Sequence, residues 1–88
     1  MAHYSEYFLE AMAAYIFGDD EKAFLLMEHC ARDGDVHACV QLLDWYGDKG
    51  SGDYSEEDAD FWRSRIRQMA AGGNADAKRQ LGRLLKSA

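Results

Sequence analysis

Apolar residues recur along this chain at helical spacing in five stretches, and no stretch shows the strict alternation of a half-buried strand. A first helix, over about Tyr4 to Phe17, puts Tyr4, Tyr7, Phe8, Ala11 and Tyr15 on one face. A second, over about Asp20 to Arg32, carries Ala23, Leu26, Met27 and Cys30. A third, over about Val36 to Tyr46, carries Cys39, Leu42, Leu43 and Tyr46. The fourth, about Glu56 to Ala71, aligns Ala59, Trp62, Ile66 and Met69, and Ser55 with Asp58 three residues on forms a box-like cap at its start. The fifth, about Ala75 to Lys86, aligns Ala77, Leu81, Leu84 and Leu85. Such stripes read as core faces rather than cofactor boxes. The absence of proline and the abundance of Ala, Leu, Met and Glu favour helices throughout. The expectation is an all-α chain forming one domain over residues 1–88.

A second pattern overlies the first. Ala31, Gly34, Ala38 and Leu42 return as Ala70, Gly73, Ala77 and Leu81, each displaced by 39 residues. A period of this length is the mark of stacked helical hairpins. The small Ala31 and Ala70 close a helix where two backbones approach. Gly34 and Gly73 sit where the chain leaves it, and are expected at positive φ. Asp35 and Asn74 follow at once as caps of the next helix.

These residues resemble the Sel-one-like repeats, relatives of the tetratricopeptide repeats. The first repeat supplies Ala11-x-x-x-Tyr15-x-x-Gly18, then Lys22-Ala23, Leu26 in the family's tryptophan place, and Cys30-Ala31-x-x-Gly34-x-x-x-Ala38. The second supplies Ala38-x-x-x-Leu42, Tyr46, a loop from Gly47 to Asp53, Ala59-x-x-Trp62, and Ala70 to Ala77; a third opens with Ala77-x-x-x-Leu81-Gly82 and stops. The loop after Gly18 is shorter than the family's, Trp62 to Ala70 is about one helical turn longer, and Leu43 replaces a glycine. The resemblance implies a short right-handed α-solenoid of about five antiparallel helices, two and a half hairpin repeats, whose first helices line a concave face. Setting Ala11, Ala38 and Ala77 in register makes Ala14, Gln41 and Gln80 equivalent, and likewise Phe17, Asp44 and Arg83, with Trp45 and Leu84 beside them. It therefore implies a bacterial-type, non-catalytic adaptor or scaffold that binds another protein through Gln41, Asp44, Trp45, Gln80 and Arg83, with Trp45 either the hot spot of that strip or the filler of a gap between repeats.

Charge opens a different reading. Residues 1–60 carry a net −12 and residues 61–88 a net +6. Part of this matches helix dipoles, with Glu56, Glu57 and Asp58 opening the fourth helix and Arg63, Arg65 and Arg67 towards its end. The remainder suits a docking surface of one sign, or head-to-tail self-association of the acidic end with the basic end. The alternative function is thus a stoichiometric inhibitor or immunity-type protein whose acidic surface, Asp48, Asp53, Glu56, Glu57, Asp58 and Asp60, blocks a basic, nucleic-acid-binding enzyme. Direct nucleic-acid binding is not expected: the arginines at spacing two fan around a helix, and the acidic remainder repels phosphates.

The chemistry-bearing residues point away from catalysis. No serine lies in a nucleophile elbow, and Gly47 to Asp53 has its glycines, lysine and serine in the wrong order for a phosphate cradle. The same acidic loop lacks the ligand register of a calcium site, and His29, Cys30, His37 and Cys39 match no zinc spacing. No cofactor and no metal are expected. Cys30 and Cys39 flank the small packing positions and act as small hydrophobes. Secreted cysteine-rich members of the resembled family carry cysteines near these places, where Cys39 matches and Cys30 falls one residue early. Without a recognisable leader in Met1 to Glu6, and with no apolar run near the roughly 20 residues of a membrane span, the expected setting is cytoplasmic with reduced thiols. A chain of 88 residues buries a modest core, and neither end has a polar capping helix. Of Tyr4, Tyr7 and Phe8 at one end and Leu84 and Leu85 at the other, some are expected to pack inward and the rest to stay uncovered, favouring a weak homodimer.

Overall fold

The computed structural model describes residues 5–86, with side chains through residue 84. The expectations on Tyr4 and on the Leu85 side chain lie outside the described residues. Five α-helices follow in order: α1 Glu6–Ile16, α2 Asp20–Arg32, α3 Val36–Gly47, α4 Glu56–Ala71 and α5 Ala75–Lys86. No strand occurs among the described residues. Three helices have the bounds that the sequence suggested. The start of α1 is later than expected because Ser5 is its N-cap, its side chain accepting the Phe8 N–H at 3.1 Å.

Three of the four connections are one motif. Gly34 and Gly73 take φ of 97° and 100°, in the left-handed region that favours glycine. Around each, the helix closes with paired backbone bonds: Gly34 N–H to Ala31 and Asp35 N–H to Cys30, Gly73 N–H to Ala70 and Asn74 N–H to Met69, all 3.0–3.2 Å. This is the Schellman arrangement, which satisfies the orphan carbonyls of a helix end. The next residue then caps the following helix without a spacer. Asp35 accepts the N–H groups of His37 and Ala38 at 2.9 and 3.2 Å, and Asn74 accepts that of Ala77 at 2.9 Å. Gly18, at φ 86°, repeats the motif between α1 and α2, with Asp19 as cap. The loop after Gly18 that the sequence showed as shortened has become a copy of the Gly34 and Gly73 turns. The fourth connection is the 48–55 loop, where Asp48 accepts the Gly50 N–H and Ser51 that of Asp53.

Each helix packs chiefly on its neighbours in the chain, and α3 also meets α5. Met27, Cys39, Leu42 and Ile66 are the largest fully buried side chains, one from α2, two from α3 and one from α4. Alanines 11, 23, 31, 38 and 77 are buried completely and let the helices approach. An aromatic group joins α1, α2 and α3: Tyr15 stacks on Trp45 with centroids 4.4 Å apart, and Phe24 lies 5.0 Å from both Trp45 and Tyr46. Among the described side chains of α5, Ala77 alone is fully buried.

Two local expectations are corrected. Tyr7 leaves the inward face of α1 and is the uncovered residue expected at this end, while Phe8 packs inward: Tyr7 is 52% exposed, because Phe8, Ala11 and Ala14 make the buried stripe and Tyr7 lies edge-on to His29 at 5.4 Å. The box at α4 is one-sided. Ser55 accepts the Asp58 N–H at 3.3 Å, but the Ser55 N–H goes to the Tyr46 carbonyl at 2.8 Å, so Asp58 has no donor to return to.

Candidate functional surfaces

Helix α3 presents a stripe of Val40, Gln41, Leu43, Asp44 and Gly47 beside an open groove of about 710 Å³, completed by Asp48, by Arg63 of α4 and by Leu84 of α5. Its wall is apolar, its rim carries two carboxylates and one guanidinium, and Arg63 is itself paired with Asp60. Gln41 and Asp44, two of the five residues of the expected strip, line this groove. Gln80, half-buried, and Arg83, exposed, lie on α5 and are not among its lining residues.

Trp45 is displaced from the strip altogether. It is 4% exposed, clamped between Tyr15 and Phe24. Positions 44 and 45 are about 100° apart around a helix, so an exposed Asp44 turns Trp45 into the joint with α1 and α2. A large aromatic next to polar positions suits a hot spot and a core joint equally well in sequence; the contacts of Tyr15 and Phe24 decide for the core.

A second hollow, of about 450 Å³, opens on the other flank, between α2 and the 48–55 loop. Phe24, Leu25 and Tyr46 form its apolar part, and Asp20, Glu21, Glu28 and Asp53 surround it. The Tyr46 hydroxyl donates to Glu28 at 2.7 Å. Burial and that carboxylate push the Tyr46 phenol well above its usual range. Across the opening, Asp53 of the loop stands against Asp20 of the first turn of α2. Their shared hydrogen bond, then partial burial and mutual repulsion, raises the Asp20 carboxyl above the ordinary value. Leu25, 69% exposed, also borders an adjoining hollow of about 360 Å³ with Tyr7 and Leu26.

The acidic alternative surface is divided by the fold. Asp48 belongs to the α3 groove, Asp53 to the second hollow, and Asp60 to an ion pair with Arg63. Glu56, Glu57 and Asp58 occupy the first turn of α4, where their charge suits the helix dipole. Sequence reasoning missed Asp20, Glu21, Phe24, Leu25, Glu28 and Tyr46 as a group. One signal was present: Leu25 falls off the Ala23–Met27–Cys30 stripe, an apolar residue on the solvent side of α2. The approach of Tyr46 and Asp53 to that side is a tertiary fact with no local trace.

Both cysteines are buried free thiols. Cys30 contacts the Ser5 hydroxyl at 3.5 Å and Cys39 the Ala31 carbonyl at 3.9 Å. Burial pushes the Cys39 thiol up to about 11. Among the described residues no group of three or more His, Cys, Asp and Glu is arranged to hold a metal, and no helix is long and apolar enough to cross a membrane. Compared with protein-family models, with curated proteins and with solved structures, the chain matches none of them.

Proposed function

We propose that this chain is a short stack of antiparallel helical hairpins of the Sel-one-like kind, acting as a non-catalytic module that binds another protein. The contact of α3 with α5, first helices of successive hairpins in this reading, supports the stack, as does the reuse of one glycine turn. The observation that carries the binding role is the α3 groove, an apolar wall of Val40, Leu43 and Leu84 with Gln41 and Asp44 on its rim. That mixture of apolar wall and directed polar groups is the anatomy of a protein interface rather than of a reaction centre. The thiols are sequestered, and Ser5 and Ser55 are committed to helix caps, which also favours binding over turnover.

The test is affinity capture of the partner from the source cell, then calorimetry of the purified pair with Asp44→Lys and Val40→Asp proteins. Both residues lie at the groove and at most half-buried, so the fold should persist. Binding weakened about tenfold or more by each supports the groove, since a reversed rim charge or a buried unpaired carboxylate costs more than 1.4 kcal/mol. Affinity unchanged in both variants refutes it.

The inhibitor reading keeps one specific support: four carboxylates and no basic side chain line the second hollow. The chain then presents its acidic flank to a basic protein surface. Steep loss of affinity with salt distinguishes this mode from the mixed α3 groove.

A further inference from the structure

Glu28 is already engaged, holding the Tyr46 hydroxyl at 2.7 Å and approaching Arg32 at 4.0 Å. Asp20, Glu21 and Asp53 line the second hollow together with the rings of Phe24 and Tyr46. The two rings meet edge-on at 63° with centroids 5.0 Å apart. Aromatic rings and paired carboxylates lining one hollow are the two features that a planar guanidinium satisfies together, stacking on one and forking to the other. About 450 Å³ admits one long side chain. Leu25 also borders the adjoining hollow, where Tyr7 and Leu26 stand with Glu28, His29 and Arg32, and its apolar part offers a flanking leucine its place. The net −12 of residues 1–60 would steer a basic segment to this flank.

We propose that the hollow between α2 and the 48–55 loop receives an arginine side chain from a basic, apolar-flanked segment of a partner protein. The proposal rests on the reading of the chain as a protein-binding module and adds a surface distinct from the α3 groove. Two carboxylates that crowd each other when the site is empty become the two acceptors of one fork when it is filled.

The probe is the amidated peptide acetyl-Leu-Arg-Leu, followed by amide shifts in nuclear magnetic resonance, against the same peptide with neutral citrulline for arginine. Shifts confined to Asp20–Glu28, Tyr46 and Asp53 are expected, with the citrulline peptide about tenfold or more weaker, as loss of a charged hydrogen-bonding pair implies. The Asp20→Asn, Asp53→Asn double variant should lose binding by a similar factor. A Glu56→Gln, Glu57→Gln protein of equal net charge should retain it. Equal binding of the two peptides, equal loss in both double variants, or no shifts at the solubility limit overturns the proposal. Shifts at these amides that grow with protein concentration alone also overturn it, by giving the hollow to the basic end of a second copy. Shifts centred on Gln41, Asp44 and Leu84 would overturn it while upholding the α3 groove, so the two readings fail separately.

Discussion

Two of the three glycine turns lie 39 residues apart, and these two copies differ chiefly in what surrounds them. Locally they coincide: glycine at φ 97° or 100°, paired closing bonds, and an Asp or Asn cap that serves the next helix. In the first copy Ala31, Ala38 and Leu42 are wholly buried. In the second Ala70 is 6% exposed, Ala77 is wholly buried and Leu81 only half-buried. Helix α3 has α2, α4 and part of α5 against it, whereas α5 has chiefly α4. A short sequence pattern thus determines turn geometry by itself, while neighbouring helices determine how much energy the same side chains contribute.

The largest test of this difference is at the first joint. Trp45→Ala removes the ring that Tyr15 and Phe24 enclose, and should cost about 3–5 kcal/mol, a large share of a small domain's stability. Leu42→Ala should cost about 2–5 kcal/mol, and its counterpart Leu81→Ala less than half as much, since Leu81 keeps part of its exposure when folded. Urea unfolding of the three variants measures this. Equal losses at positions 42 and 81 would mean that the two copies are equally packed and that the comparison fails.

How much was legible follows the same division. The helices α2, α4 and α5 and the turns at Gly34 and Gly73 were readable because capping, glycine and 3.6-residue periodicity are local effects. Trp45 was not, because its side of the helix is decided by Tyr15 and Phe24, which lie 30 and 21 positions earlier in the chain. Tyr7 misled for a related reason. A helical stripe is wide enough to include it, but α2 covers only the Phe8–Ala11–Ala14 side. Gln41 and Asp44, placed together by their register, both line the α3 groove, whereas the acidic hollow depends on the 48–55 loop meeting α2.

The turn itself gives a sharper test, because here the copies should behave alike. Nothing lies within 4 Å of a Cβ built on Gly34 or Gly73, so a larger residue meets backbone strain rather than a clash. Gly34→Val and Gly73→Val should each cost more than about 1 kcal/mol, by similar amounts despite the different burial around them. Thermal melts are sufficient. An unchanged melting temperature in both would contradict the strain, and a much larger loss at position 34 would show that packing contributes inside the turn too.

A further expected effect is an alkaline pH dependence carried by α3. Cys39 and Tyr46 both hold their protons more tightly folded than unfolded, the thiol through burial, the phenol through burial and the Glu28 carboxylate. A raised folded value means that the stabilisation is complete below the unfolded value and is lost as pH rises above it. For Cys39 the loss begins near its ordinary 9.0 and ends near 11; for Tyr46 it begins near 10.0. Stability of the native chain should therefore decline from about pH 9 upward. Cys39→Ala should delay the onset by about one unit, and Tyr46→Phe should flatten the decline above pH 10. The hydroxyl's hydrogen bond itself is worth only about 1 kcal/mol at neutral pH. Urea midpoints across pH 7.5–11, compared between native chain and both variants, read these windows directly. A decline that neither substitution moves would place the responsible protons outside α3, and with them the part of the molecule whose packing is most sensitive to charge.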